Sequence, residues 1–303
     1  MFPLCRFKGR QKTRDPKVPP LRSLFSALLV AVGLPLGLLH VDIPAYVLRS
    51  KPATAPLPAY WSGYDVSFPQ CRSRFPAPSA FAIVGVNGGS AHTNNQCMRR
   101  ELAWAHKSSG FDGYAGAQLY VNTENPGRAS QFWPRSNRDP VSGYKVADRY
   151  GICTGKNTEA CAWQYGWNAA ETDVIRRGVS NPLTYAWWLD VETDNLWQPQ
   201  VGLNRADLTG MVDFFQSQGM AVGVYSTWVQ WPEIVGTVGP LSPLRRLPQW
   251  ISGASTKAGA KSACAKAKFM SGAVEFSQWY NASSTFDGDI VCPQHAVRTA
   301  GRR

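Results

Sequence analysis

The chain is poor in the groups from which most recognisable active sites are built. Only four of its 303 residues are histidine (His40, His92, His106, His295), and no H-E-x-x-H joins any two of them. No C-x-x-C pair occurs among the seven cysteines, so a zinc site lacks its usual ligand spacings. No strand runs into G-x-G-x-x-G, which excludes a dinucleotide fingerprint. Residues 151–156, GICTGK, end in Gly-Lys but lack the spacing and the Ser/Thr of a phosphate loop. There is no G-x-S-x-G elbow to present a serine nucleophile. The sequence implies no metal and no cofactor.

Charge is scarce as well, at 17% of residues, and it is unevenly placed. Of the net +12, the segment 1–22 supplies +6 and three terminal arginines (Arg298, Arg302, Arg303) supply +3, leaving +3 for residues 23–297. A nucleic-acid-binding body needs far more clustered Lys/Arg, so no nucleic-acid partner is expected. Apolar residues make up 44% of the chain, enough to bury a core, which excludes disorder.

Directly after the basic segment comes Ser23–Val41, 19 residues with no formal charge. Positive then apolar is the order of a secretory signal or a membrane anchor. Pro35 interrupts the run, and cleavage after Ala45 or Ala55 is conceivable, so both readings stay open. Either one leaves the basic end cytoplasmic and exports everything after residue 42. A Pro/Ala-rich linker occupies 42–59, a folded body 60–293 and a basic tail 294–303. Cysteine usage agrees with export. Cys5 is the odd one; Cys71, Cys97, Cys153, Cys161, Cys264 and Cys292 form an even set suited to an oxidising compartment. Six cysteines allow fifteen connectivities; sequence neighbours suggest 71–97, 153–161 and 264–292.

In the body, short apolar runs alternate with helical segments. Strands are expected at Gly63–Val66, Phe81–Asn87, Ala117–Asn122, Tyr185–Val191, Met220–Ser226, Leu247–Ser252 and Val274–Trp279. Helices are expected at Asn95–Lys107, Gly166–Arg177 and Arg205–Gln218, the last capped by Asn204 and closed by Gly219. This rhythm implies parallel sheet with crossover helices. A body of this size fits a single α/β barrel of the TIM type, whose usual length is about 250 residues. An open doubly wound sheet is the alternative.

The informative segment is 185–195, YAWWLDVETDN, where an apolar strand runs into Asp190 and Glu192. Residues i and i+2 of a strand face one side, so both acids project together near the strand's C-terminal end. In a barrel that end is the mouth, where active sites lie. Neighbouring carboxylates push their pKa values apart and leave one protonated, which is the equipment for cleaving a glycosidic bond. The plainer alternative is a solvated strand end whose acids cap the next turn. Asp65 ends the first strand, and Asp289 lies in the Asp287-Gly288-Asp289 stretch beside a closing strand. First and last strands of a closed barrel are neighbours, so these two acids could meet across the mouth from Asp190 and Glu192. Tyr225, Trp250 and Trp279, with Trp228 and Trp231 in a following loop, offer rings for sugar faces. Asn87, Asn122 and Gln278 offer hydrogen bonds to hydroxyls.

GYDVS, WLDVE, GVYST, QWISGA and VEFSQW occur in that order and precede a terminal acid. The order resembles the lysozymes of glycoside hydrolase family 25. More closely, through FAIVGVNGG, YVNTENPG, YGWNAA and WWLDVET, it resembles glycoside-hydrolase-like domains of exported actinobacterial proteins. The resemblance spans about residues 62–292. It implies hydrolysis of the β-1,4 bond between N-acetylmuramic acid and N-acetylglucosamine in peptidoglycan. Glu192 matches the general acid, and Asp190 its carboxylate partner, which in one mechanism orients the substrate's N-acetyl group. Asp65 matches the first-strand acid. Asp289, or else Asp287, matches the last-strand acid, where this chain reads FDGDIVCP in place of a valine-aspartate-apolar-asparagine ending. A non-catalytic glycan-binding or envelope-scaffold domain on the same barrel, or a glycosidase for another wall polysaccharide, are the alternatives. The expected partners are peptidoglycan or another cell-wall glycan, with membrane contact through the N-terminal segment if it is uncleaved. The body is expected to be a monomer, secreted or anchored outside the cytoplasmic membrane.

Overall fold

The computed structural model describes residues 61–112, 114–266, 268–280 and 285–293. The basic segment 1–22, the apolar run 23–41, the linker 42–59, the tail 294–303 and Cys5 lie outside the described residues. Eight strands close into a barrel in chain order: β1 (Ser62–Val66), β2 (Phe81–Gly85), β3 (Ala117–Asn122), β4 (Ala186–Asp190), β5 (Ala221–Ser226), β6 (Gln249–Ala254), β7 (Val274–Trp279) and β8 (Gly288–Val291). Closure excludes the open sheet. The first seven strands are parallel, but β8 is antiparallel to both β7 and β1. Eight residues separate Trp279 from Gly288, too few for a crossover helix. The chain therefore turns back at the mouth, and β8 starts where the other strands end.

The helices are α1 (Met98–Ala105), α2 (Glu159–Arg176), α3 (Val201–Ser217), α4 (Gln230–Ile234) and α5 (Lys257–Lys266). Helix α2 starts seven residues earlier than expected, with the Thr158 side chain accepting from Cys161 N. Helix α3 starts before Asn204, which is therefore not its cap. Asn204 is buried, and its side-chain nitrogen bonds the carbonyls of Gln198 and Ile234. Gly219 does close α3, at φ +73°, a conformation that costs glycine little. Helices α2 and α3 pack so closely that a Cβ on Gly210 would lie 1.9 Å from Trp163 O.

Alternation along the strands sorts the core into two layers. Leu119, Trp187, Leu189, Val222 and Val224 face outward and pack under the helices. Phe81, Trp188, Tyr225, Trp250 and Phe276 fill the barrel itself. Phe276 of β7 meets Phe81 of β2 at 4.7 Å and Trp188 of β4 at 5.3 Å between ring centroids. Such aromatic filling makes the lower barrel a packed core with no through-pore.

Three disulfides join sequence neighbours: Cys71–Cys97, Cys153–Cys161 and Cys264–Cys292. They tie the β1–β2 connection to α1, the long β3–α2 connection to α2, and α5 to the end of β8. Among the described residues no helix is long and apolar enough to cross a membrane.

Candidate active site

The ladder carries four acids to one end of the barrel. Asp190 is the last residue of β4 and lies in register with Asn122 on β3 and Tyr225 on β5. Glu192 is not on the strand, as i+2 spacing suggested, but in the turn beyond it. Its backbone carbonyl accepts from Trp197 Nε1 at 2.8 Å and Asn195 N at 3.2 Å. Asp190 and Glu192 still act on each other, the charge of Glu192 raising Asp190. Asp289, the second residue of β8, lies beside Gly63 on β1 and Gln278 on β7. The charge of Asp65 bears on its carboxyl. Because β8 runs backwards, its first residues rather than its last are at the mouth.

Like charges gathered in a buried place disfavour ionisation, and all four acids are raised above the usual carboxylate range. Burial pushes Asp65 up to about 7, with the charge of Asp287 adding to the rise. Burial and the charge of Glu192 raise Asp190 well above the carboxylate range. Glu192 is raised by burial and then by the charge of Asp194. Asp289 is raised well above its usual value by burial and by Asp65. The pairs are linked, since the charge of Asp65 also bears on Asp190.

A polar web sets these groups in place. Gln278 Nε2 donates to Asp65 at 2.9 Å, while its Oε1 accepts from Tyr225 OH at 2.8 Å and Ser252 Oγ at 3.1 Å. Trp250 Nε1 donates to Asp289 at 2.8 Å. Asp289 is completely buried and Asp190 is 8% exposed, whereas Asp65 and Glu192 are half-buried.

The expected sugar-contacting residues divide. Asn122 stands beside Asp190 at the mouth, and Tyr225 and Gln278 lie against the acids. Trp250, 2% exposed, is barrel filling and an anchor for Asp289, with no open face for a sugar. Trp279 has the opposite strand parity from Gln278 and points outward, packing against the α5 layer. Asn87 is buried, donating to Ala91 O and Asp173 and accepting from Asn122 N. Trp231 is buried, while Trp228 is 66% exposed. Sequence reasoning missed Tyr120, Asp194, Ser252 and Trp197. Tyr120 shares parity with Asn122 and feels both Asp190 and Asp65, and Ser252 shares parity with Trp250, so strand alternation could have found those two. Among the described residues one cluster has metal-ligand spacing, Cys71, Cys97 and Glu101, but its two sulfurs are bonded to each other.

A family model described as "Lysozyme-like protein 1" matches residues 179–284, which run from just before β4 to just past β7. A search of curated proteins found no match. Several solved structures are similar in fold. A family GH25 lysozyme from Aspergillus fumigatus is 13% identical over 79% of this chain and 98% of that one, with TM-score 0.48. A muramidase from Trichobolus zukalii is 14% identical over 75% and 91%, with TM-score 0.43. The bacterial lysozyme from Streptomyces coelicolor is 15% identical over 75% and 90%, with TM-score 0.40. Over residues 179–284, which hold Asp190 and Glu192 but neither Asp65 nor Asp289, the chain is similar to that family.

Proposed function

We propose that the chain is an exported cell-wall glycoside hydrolase that cleaves the β-1,4 bond between N-acetylmuramic acid and N-acetylglucosamine of peptidoglycan. The observation that carries this reading is the gathering of four acids at one mouth, Asp65 on β1, Asp190 at the end of β4 with Glu192 just beyond it, and Asp289 at the start of β8. Glu192, raised in pKa and the more exposed of its pair, protonates the leaving oxygen. Asp190 ends β4, two residues before Glu192, and is not used to activate a water as in an inverting pair. It instead orients the substrate's acetamido group for internal attack, so the product keeps its β configuration. Asp65, with Asp289 behind it, lines the mouth where the oxocarbenium ion develops, and the two are positioned by Gln278 and Trp250. Three disulfides support action in an oxidising compartment outside the cytoplasm. Digestion of purified peptidoglycan tests the reading. New muramic-acid reducing ends, first released in the β-anomer by proton NMR, are expected. Reducing ends on glucosamine, or none, would contradict it.

One observation favours a second reading, a glycan-binding domain without turnover. Asp289 is fully buried and Asp190 nearly so, which limits how many acids substrate can reach. Such a domain would pellet with the wall and release nothing.

A further inference from the structure

The small net charge of the body hides a segregation. Between Glu233 and Glu275 lie 41 residues without one acid, carrying Arg245, Arg246, Lys257, Lys261, Lys266 and Lys268. This stretch builds β6, α5 and the approaches to β6 and β7, so its cations lie along one flank of the barrel. Helix α4, only five residues long, leaves the barrel wall thin there. A groove of about 550 Å³ runs along it, lined by Trp228, Pro232, Arg245, Lys268 and Phe269. Trp231 packs against Phe269 with ring centroids 5.2 Å apart and planes tilted by 35°, which stiffens the floor. Arg245 is held in the wall by its bond to Val238 O at 3.2 Å. Gln230 donates to Thr193 at 3.3 Å, tying the head of α4 to the loop that carries Glu192. The exposed ring of Trp228, two residues earlier, therefore stands beside the mouth.

We propose that this groove binds an anionic polysaccharide, with sugar rings on Trp228 and carboxylate or phosphate groups on Arg245 and Lys268. An exposed flat ring beside cations fits a sugar face that carries acid groups. The chain's own segments 1–22 and 294–303 are basic, and a second copy of this flank would bring like charge, so neither is a suitable occupant. The inference does not depend on turnover at the mouth, and the two can fail separately.

The test uses the full chain carrying Glu192→Gln, so that no glycan is consumed, and measures binding by calorimetry. The probes are polygalacturonate for carboxylate, phosphomannan for phosphate, and a charge-matched DNA duplex. At least one of the two polysaccharides is expected to bind with strong salt dependence, and the tighter one names the acid group. Lys268→Glu with Arg245→Gln is expected to weaken that binding about tenfold. Trp228→Ala weakens it too, and Lys145→Glu, far along the chain on an exposed loop, leaves it unchanged. Lys268 is exposed, so Lys268→Glu alone tests the groove without endangering the fold. Binding of neither polysaccharide, affinity unmoved by Lys268→Glu and Trp228→Ala, or equally tight DNA binding would each overturn the proposal.

Discussion

From β3 to β5 the barrel leans on two long helices, α2 and α3, pressed together at Gly210 and Trp163. From β5 round to β8 it has α4, α5 and, between β7 and β8, a connection of eight residues. Each side positions acids, but by different means. On the thick side Asp190 is set by the strand ladder itself, locked between β3 and β5. On the thin side Asp65 and Asp289 also lie in the ladder, but they are held in addition by the side chains of Gln278 and Trp250, and β8 is pinned at its end by Cys264–Cys292. Backbone ladders fix an acid at little cost in side-chain order. The short reversed strand β8, paired on both sides, adds buried hydrogen bonds and a covalent tie to its ladder.

The comparison can be broken most severely on the thick side. Gly210→Ala puts a methyl against backbone that cannot swing away, and is expected to cost about 4 kcal/mol in chemical denaturation. A loss below about 1 kcal/mol would mean that the helix pair adapts easily. On the thin side, replacing Cys264 and Cys292 by Ser opens a crosslink of sequence separation 28, against 8 for Cys153–Cys161. Chain entropy then assigns about 3.5 kcal/mol to the first and about 2.5 kcal/mol to the second. Equal or reversed losses would remove the special role given to the β8 tie. Gln278→Leu strips hydrogen bonds from Asp65, Tyr225 and Ser252 together, with an expected cost of about 2 kcal/mol. It should also shift the pH profile of activity, which a merely structural residue would not do.

The smallest effect concerns pH. Burial, with the hydrogen bond and charge of Asp139, raises Glu171 to about 8, and burial raises Asp173 to about 7, both on α2. A carboxyl raised on folding stabilises fully below its unfolded value and loses that contribution as pH rises through its folded value. Protection of α2 amides, corrected for intrinsic exchange, should therefore fall between pH 5 and pH 8. Helix α5 contains no acid and should be unmoved over the same range. Parallel losses in both helices would argue for global rather than local titration.

Much of the barrel could be read from the sequence, and the exceptions have physical reasons. Strands β3 and β7 fall where alternation and flanking turns placed them. The start of α2 was hidden because Ala160 through Gly166 are all buried, which erases the one-sided pattern that marks a surface helix. Strand β8 is four residues with a leading glycine, too short for a period. Its direction, which decides that Asp289 rather than Val291 sits at the mouth, follows from a turn length and not from any residue type. The acids were legible because unpaired carboxylates on apolar strands are costly and therefore conspicuous. Trp250 and Trp279 were not told apart, since composition does not say which strand parity faces the barrel interior.

The central claim is that Glu192 supplies the proton for glycosidic cleavage while the rest of the mouth holds the glycan. The most direct measurement is reducing-sugar release from purified peptidoglycan by the full chain beside its Glu192→Gln variant, with co-sedimentation of both. The account predicts release by the parent chain, a loss of about a thousandfold or more in the variant, and equal pelleting with the wall. Equal release by both would contradict it, and so would pelleting by both with release by neither.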